Sequence, residues 1–299
     1  MVSVHQKLSA LKTYSFVRSL AISDAPTDQR DILPEEVEAR LDFRDGFDKY
    51  TRDEAWKSSV ASHFNHNLKR MVLAAETANV PLVICNPVAN LRDASPFKSQ
   101  NSDELSAEQL SQFESGFQQL TDDSSVSLEQ LKSLHQIDVR HAHLQYKIGQ
   151  AYQIAGDYEN AKRHLIQAKE EDVCPLRITE PMYDVIAVVA DQHNVPLIDV
   201  KGLFQSKSQD GIPGRELLVD HIHPSIRGHQ LIAELILQKM RHEQWVKVGE
   251  GFEVRKNASY DSHLQSLPHL YFQLGKDRLA GLKRWAQGEV KKERTPDED

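Results

Sequence analysis

Two short stretches decide the fold: "NVPLVI" at 79–84 and "NVPLID" at 194–199. They are two copies of one step. Each follows a segment with apolar residues at helical spacing, and each runs into a short continuous apolar stretch. Such a stretch marks a strand buried on both faces. Leu68, Met71, Val72 and Ala75 form the stripe before the first copy; Met182, Val185, Ile186 and Val189 form it before the second. Helix followed by buried strand, twice, predicts an α/β fold with a parallel sheet. Ligands in such sheets bind beyond the carboxyl ends of the strands. Asn90, Arg92 and Asp93 lie just past the first run, and Asp199 and Lys201 end the second. For Asn90, Arg92 and Asp93 two readings stand side by side, loop capping by Asx turns and substrate binding.

About 90 residues of another kind separate the two steps. Segments 104–120 and 127–138 read as amphipathic helices. They are followed by "YKIGQAYQIAGDYENAKRHLIQAKEED". Ile148, Gly149, Tyr152, Gly156, Tyr158, Ala161, Leu165 and Ala168 resemble the pattern of a tetratricopeptide repeat, in which small residues let two antiparallel helices approach closely. The usual tryptophan of the first helix is missing. A weaker repeat is read at 106–140. One repeat cannot bury its own face, so it must pack on the α/β layer or on its weaker neighbour.

The chemistry concentrates at 217–230, "LLVDHIHPSIRGHQ". Asp220 stands three residues before His223, and Pro224 follows. A carboxylate so placed accepts the Nδ1–H of the histidine, fixes its tautomer and leaves Nε2 free as a general base. Pro224 suits the start of a helix, where a missing N–H costs nothing. Leu231, Ile232, Leu235, Ile236 and Met240 supply that helix's apolar stripe. Gly228 permits a close approach at its start. Ser225 is expected to satisfy open N–H groups there. His221 and His229 invite a zinc reading, but no further ligand cluster accompanies them, and neither metal nor cofactor is expected.

This block resembles the last motif of the SGNH hydrolases, or GDSL esterases. In that family a D-x-x-H-P turn carries the catalytic aspartate and histidine before the final helix. The order strand, helix, strand, D-x-x-H-P, helix matches as well. "NLRDASPFKS", the helical insert, "EEDVCPLR" and "DHIHPSIRGHQLIA" look like a subgroup in which helical repeats interrupt the hydrolase domain. The resemblance covers about 60–245 and implies a partial flavodoxin-like, three-layer parallel sheet with a tetratricopeptide-like insertion in a helix-rich chain. With it the chain divides into a first part of the α/β domain at 61–100, the insertion at 101–176 and a second part at 177–242; the residues themselves add an irregular helical segment at 1–60 and a helical extension with a disordered tail at 243–299. Asp220 and His223 are then the catalytic pair, and Asn90, Arg92, Asp93 and Arg177 are the candidate substrate contacts, with a structural ion pair as the other reading of Arg177.

The chain also departs from that family. Its nucleophile sits in a G-D-S block and its oxyanion hole draws on a G-x-N block, and neither occurs here. The only Gly-Asp step, Gly156-Asp157, precedes a tyrosine inside the repeat. Ser95 and Ser225 carry no mark of a nucleophile. The expectation is a sequence that begins after those blocks, about three strands short. In full length it would be a serine ester hydrolase or acyl transferase acting on an acylated carbohydrate, lipid or small ester; as it stands it would be inactive. The alternative is an interaction module on a degenerate hydrolase scaffold, binding a protein partner through the tetratricopeptide-like helices.

Composition sets further bounds. A net charge of −8 argues against a general nucleic-acid binder. No apolar run reaches the roughly 18–20 residues that span a bilayer, and the first 20 residues lack a signal-peptide core. Compartment and membrane association stay open for a longer chain. Cys85 and Cys174 form no disulfide or zinc pattern and read as small hydrophobes. "WVKVGEGFEV" reads as a hairpin, and 267–290 as a helical pair that packs.

Overall fold

The structure is a computed structural model that describes residues 49–122 and 126–286. The helical reading of 1–48 and the disordered tail lie outside these residues. Helix α1 (Glu54–Thr77) starts at Asp53, whose carboxylate accepts from the Trp56 amide. It ends at Asn79, at φ 52°, while the Val80 amide reaches back 3.0 Å to the Ala75 carbonyl. Helix α6 (Glu180–Gln192) ends the same way: Asn194 has φ 52° and Val195 donates to Ala190 at 2.9 Å. Asparagine tolerates the left-handed region because its short side chain is accommodated there. The "NVP" signature is therefore a helix stop that turns the chain into the next strand.

Those strands are β1 (Ile84–Cys85) and β2 (Leu197–Ile198), paired in parallel with Ile84 opposite Leu197 and Cys85 opposite Ile198. The two copies are offset by two residues in this register, a slide that keeps every side chain on its face. Ile84 packs with Val72 of α1 and with Ile186 and Val189 of α6. Cys85 and Ile198 face the other way, towards Phe204 of α7 (Val200–Lys207) and Leu231 of α8 (Ile226–His242). The expected stripes thus point inward, except at Met71, which is exposed.

The three-layer, flavodoxin-like parallel sheet is not there. Ten helices and a two-stranded sheet make up the described residues, so the chain is helix-rich rather than a multistranded α/β fold. The reason is local. Pro81 and Pro196 lead into the runs, Pro87 follows the first, and Asp199 caps α7 immediately after the second, accepting from the Gly202 amide at 2.9 Å. Only two residues of each run remain to pair.

The insertion contains α2 (Ala107–Asp122), α3 (Leu128–Ile137), α4 (Ala142–Ile154) and α5 (Tyr158–Glu170). Ser127 and Gln130 form a reciprocal cap at the start of α3. Phe113, Leu131, Leu134, Leu144 and Ile148 form one core. α4 and α5 lie so close that a Cβ on Gly149 would stand 2.7 Å from Cγ of Leu165. Ala161 and Leu165 also pack on Leu91 and Ile212, which fastens the hairpin to the α/β part.

After α8 the sequence again corrects expectation. "WVKVGEGFEV" makes no hairpin: Gly251, at φ 69°, starts α9 (Phe252–Ser266). The expected helical pair over 267–290 is a single helix, α10 (His269–Ala286). α9 buries none of its residues, and Leu270, Tyr271 and Leu274 of α10 are exposed. The side chains of Leu282 and Trp285 lie outside the described residues.

Candidate functional site

Residues 217–225 form a tight antiparallel turn. The Val219 amide donates to the His223 carbonyl and the Ser225 amide to the Leu217 carbonyl, both at 2.8 Å, on either side of the Leu218–Pro224 bridge. Leu218 is fully buried in the core beneath β2, so its neighbour Val219 points outward, as does His223 opposite. Ser225 caps α8 by accepting from the Gly228 amide at 3.1 Å, the role expected of it. A Cβ on Gly228 would meet the Leu217 carbonyl at 2.5 Å, so the helix start and the turn require glycine there.

The turn holds Asp220 firmly. Oδ1 accepts from the amides of Ile222 (2.8 Å) and His223 (2.7 Å), and Oδ2 lies 2.7 Å from Nδ1 of His223. Burial works to raise the Asp220 carboxyl, but the His223 and Ile222 amides and the His223 ring outweigh it and hold it below the usual carboxylate value. The aspartate side chain is 9% exposed and the histidine 66%. A fixed anion therefore grips one ring nitrogen while the other faces solvent, which is the geometry of an oriented general base. His221 is half-buried, edge-on to Phe97 with ring centroids 4.9 Å apart. Burial pushes its pKa down, against the pull of Asp220. His229 is exposed on the first turn of α8. Among the described residues no cluster of three or more metal-ligating side chains occurs.

The four expected substrate contacts lie behind the turn. Asn90 is buried; its Nδ2 donates to the Asp220 carbonyl at 3.0 Å and its amide to the His221 carbonyl at 2.9 Å. Its Oδ1 accepts from the Asp93 amide, three residues on, at 2.8 Å, so the side chain caps its own loop. Arg177 donates to the Asn90 and Ala94 carbonyls at 3.1 and 2.8 Å and stands 3.6 Å from Asp172. Asp93 accepts from the Arg215 amide at 2.7 Å and from its guanidinium at 3.0 Å, and Arg92 pairs with Asp93 and Glu216. These groups are engaged with the protein itself. Asn90 braces the peptide groups that carry Asp220, and Arg177 holds the Asn90 loop in place. Asp199 and Lys201 sit apart from the dyad: Lys201 pairs with Glu180 at 3.0 Å and lies 3.7 Å above the Tyr183 ring.

The clamp formed by Asn90 was not foreseen. Nothing in "PVANLRD" tells an asparagine that binds substrate from one that binds a turn 130 residues later. Also unforeseen is an apolar groove between α8, α9 and α10, which begins at Val219 and Ile226.

No family model, curated protein or solved structure matches this chain.

Proposed function

We propose that Asp220 and His223 are the acid–base half of an SGNH-type serine ester hydrolase or acyl transferase. One observation carries the reading: the 2.7 Å contact between Nδ1 of His223 and a carboxylate held by two amides, with the rest of the ring open to solvent. In the reaction Nε2 of His223 takes the serine hydroxyl proton as the serine oxygen bonds to the acyl carbon. The proton then passes to the departing alcohol. Water, or an acceptor alcohol, repeats the cycle to free the acyl group. Asp220 keeps the imidazole in the correct tautomer and stabilises the imidazolium. The serine must come from a Gly-Asp-Ser block, which these 299 residues do not contain. The chain by itself should therefore hydrolyse short acyl esters no faster than free imidazole.

The test is to express the gene with all upstream in-frame codons and to compare it with its His223→Ala variant on short acyl esters. A G-D-S and a G-x-N block in that frame, and a loss of at least ~10³-fold in the variant, are the expected results. Equal activity in both proteins would sink the mechanism. A frame without either block would favour a non-catalytic binding module.

A further inference from the structure

We infer that the groove between α8, α9 and α10 binds the long acyl chain of an anionic amphiphile, with its carboxylate at Lys276 and Arg278. This rests on the ester-hydrolase reading for the choice of an acyl ligand, but the groove is argued from its own residues.

The groove measures about 920 Å³, within the range of small-ligand sites. Its apolar walls include Ile226, 50% exposed, Leu274, 49%, and Tyr271, 58%. Large side chains left this open on facing helices form a contiguous apolar surface that marks a binding site. Its concavity suits a chain that enters the groove, rather than a flat apolar sheet.

Charge narrows the ligand. Among the described residues the groove is lined by Lys276, Arg278, His229 and His263 and by no aspartate or glutamate, in a chain whose net charge is −8. Among the described residues neither Lys276 nor Arg278 pairs with a carboxylate. Two cations without a carboxylate partner among the described residues, beside an apolar trough, match a head group that is an anion and a tail that is a hydrocarbon.

Position ties the groove to the dyad. Val219 lines it, and Val219 is the cross-strand partner of His223, with both side chains on the outer side of the turn. Ile226 lines it three residues after His223. The apolar end of the groove therefore adjoins the turn that carries the dyad.

The experiment is a titration of the chain as it stands with cis-parinaric acid, displaced by palmitate. Saturable binding is expected. Leu274→Asp and Ile226→Asp, both at exposed positions, should each weaken it about tenfold. Lys276→Glu with Arg278→Glu should weaken palmitate but not the uncharged palmityl alcohol. Binding requires no nucleophile, so loss of the esterase reading and loss of the groove are separable. Absence of binding, or binding indifferent to all four groove substitutions, overturns the inference. So does association with anionic vesicles alone, since that would assign the exposed apolar residues to a membrane surface.

Discussion

The helical hairpin α4–α5 and the pair α9–α10 are both two consecutive helices joined by a short connection, yet only the first is a packed unit. In the hairpin, Gly149, Ala161 and Ala168 remove bulk where the helices meet, and Leu165 fills the space they leave. In the second pair, among the described residues, no atom lies within 4 Å of the Cβ that Gly275 lacks. A hydrophobic stripe marks a surface that needs covering. The small residues opposite it reveal whether the chain itself supplies the cover.

Acid should separate the two regions most strongly. His141 caps α4 by accepting from the Leu144 amide and is wedged against Phe113 and Phe117. Burial, with His143 and Arg52 nearby, pushes its pKa down to about 3. The unfolded chain binds this proton near pH 6.5 and the folded chain does not. The stability is therefore complete above about pH 6.5 and drains away as the pH falls towards 3. Between pH 6.5 and 4 the insert should lose about 3 kcal/mol, and His141→Asn, which keeps a capping acceptor, should flatten that slope. Urea unfolding at several pH values, followed by hydrogen exchange in α4, is the measurement. An unchanged slope would show that His141 is not the sensor.

Two glycine substitutions sharpen the contrast further. Gly149→Ala should destabilise the protein by about 2 kcal/mol, because the new methyl meets both Leu165 and the Ala161 carbonyl. Gly275→Ala should stabilise it by about 1 kcal/mol, since it adds helix propensity in open space. Thermal melts of the two variants should move in opposite directions. A loss of stability at Gly275 would mean that α10 is packed against something.

Some of this could be read from sequence. The repeated "NVP" announced two helix stops feeding two parallel strands, and both occur, because asparagine at φ 52° is a local requirement. Asp220 and His223 were legible for the same reason, being three residues apart within one turn. The sheet's extent was not. A buried apolar run looks alike whether it contributes two residues or six, and the brackets that shortened it, Pro87 and the Asp199 cap, were read as mere ends. Nor were the partners of Asn90 and Arg177, which lie far off in the chain. The C-terminal region misled for another reason. Its apolar periodicity was taken for packing, while Lys276 and Arg278, interleaved with it, were the sign of a surface left open.

The offset pairing of β1 with β2 also has a kinetic meaning. Asn86 and Asp199, which lock the strand ends together at 2.7 Å, are 113 positions apart. Closing so long a loop costs entropy that two pairs of strand residues cannot repay. The helices of the insert, by contrast, pack through contacts close in sequence, and such contacts form first. Once folded, the hairpin α4–α5 shortens the free path between the strands and delivers Leu91 and Ile212 to a common surface. By this argument the small sheet is expected to close after the helices of the insert, and the contact of Asn90 with the turn bearing Asp220 and His223 to form with it.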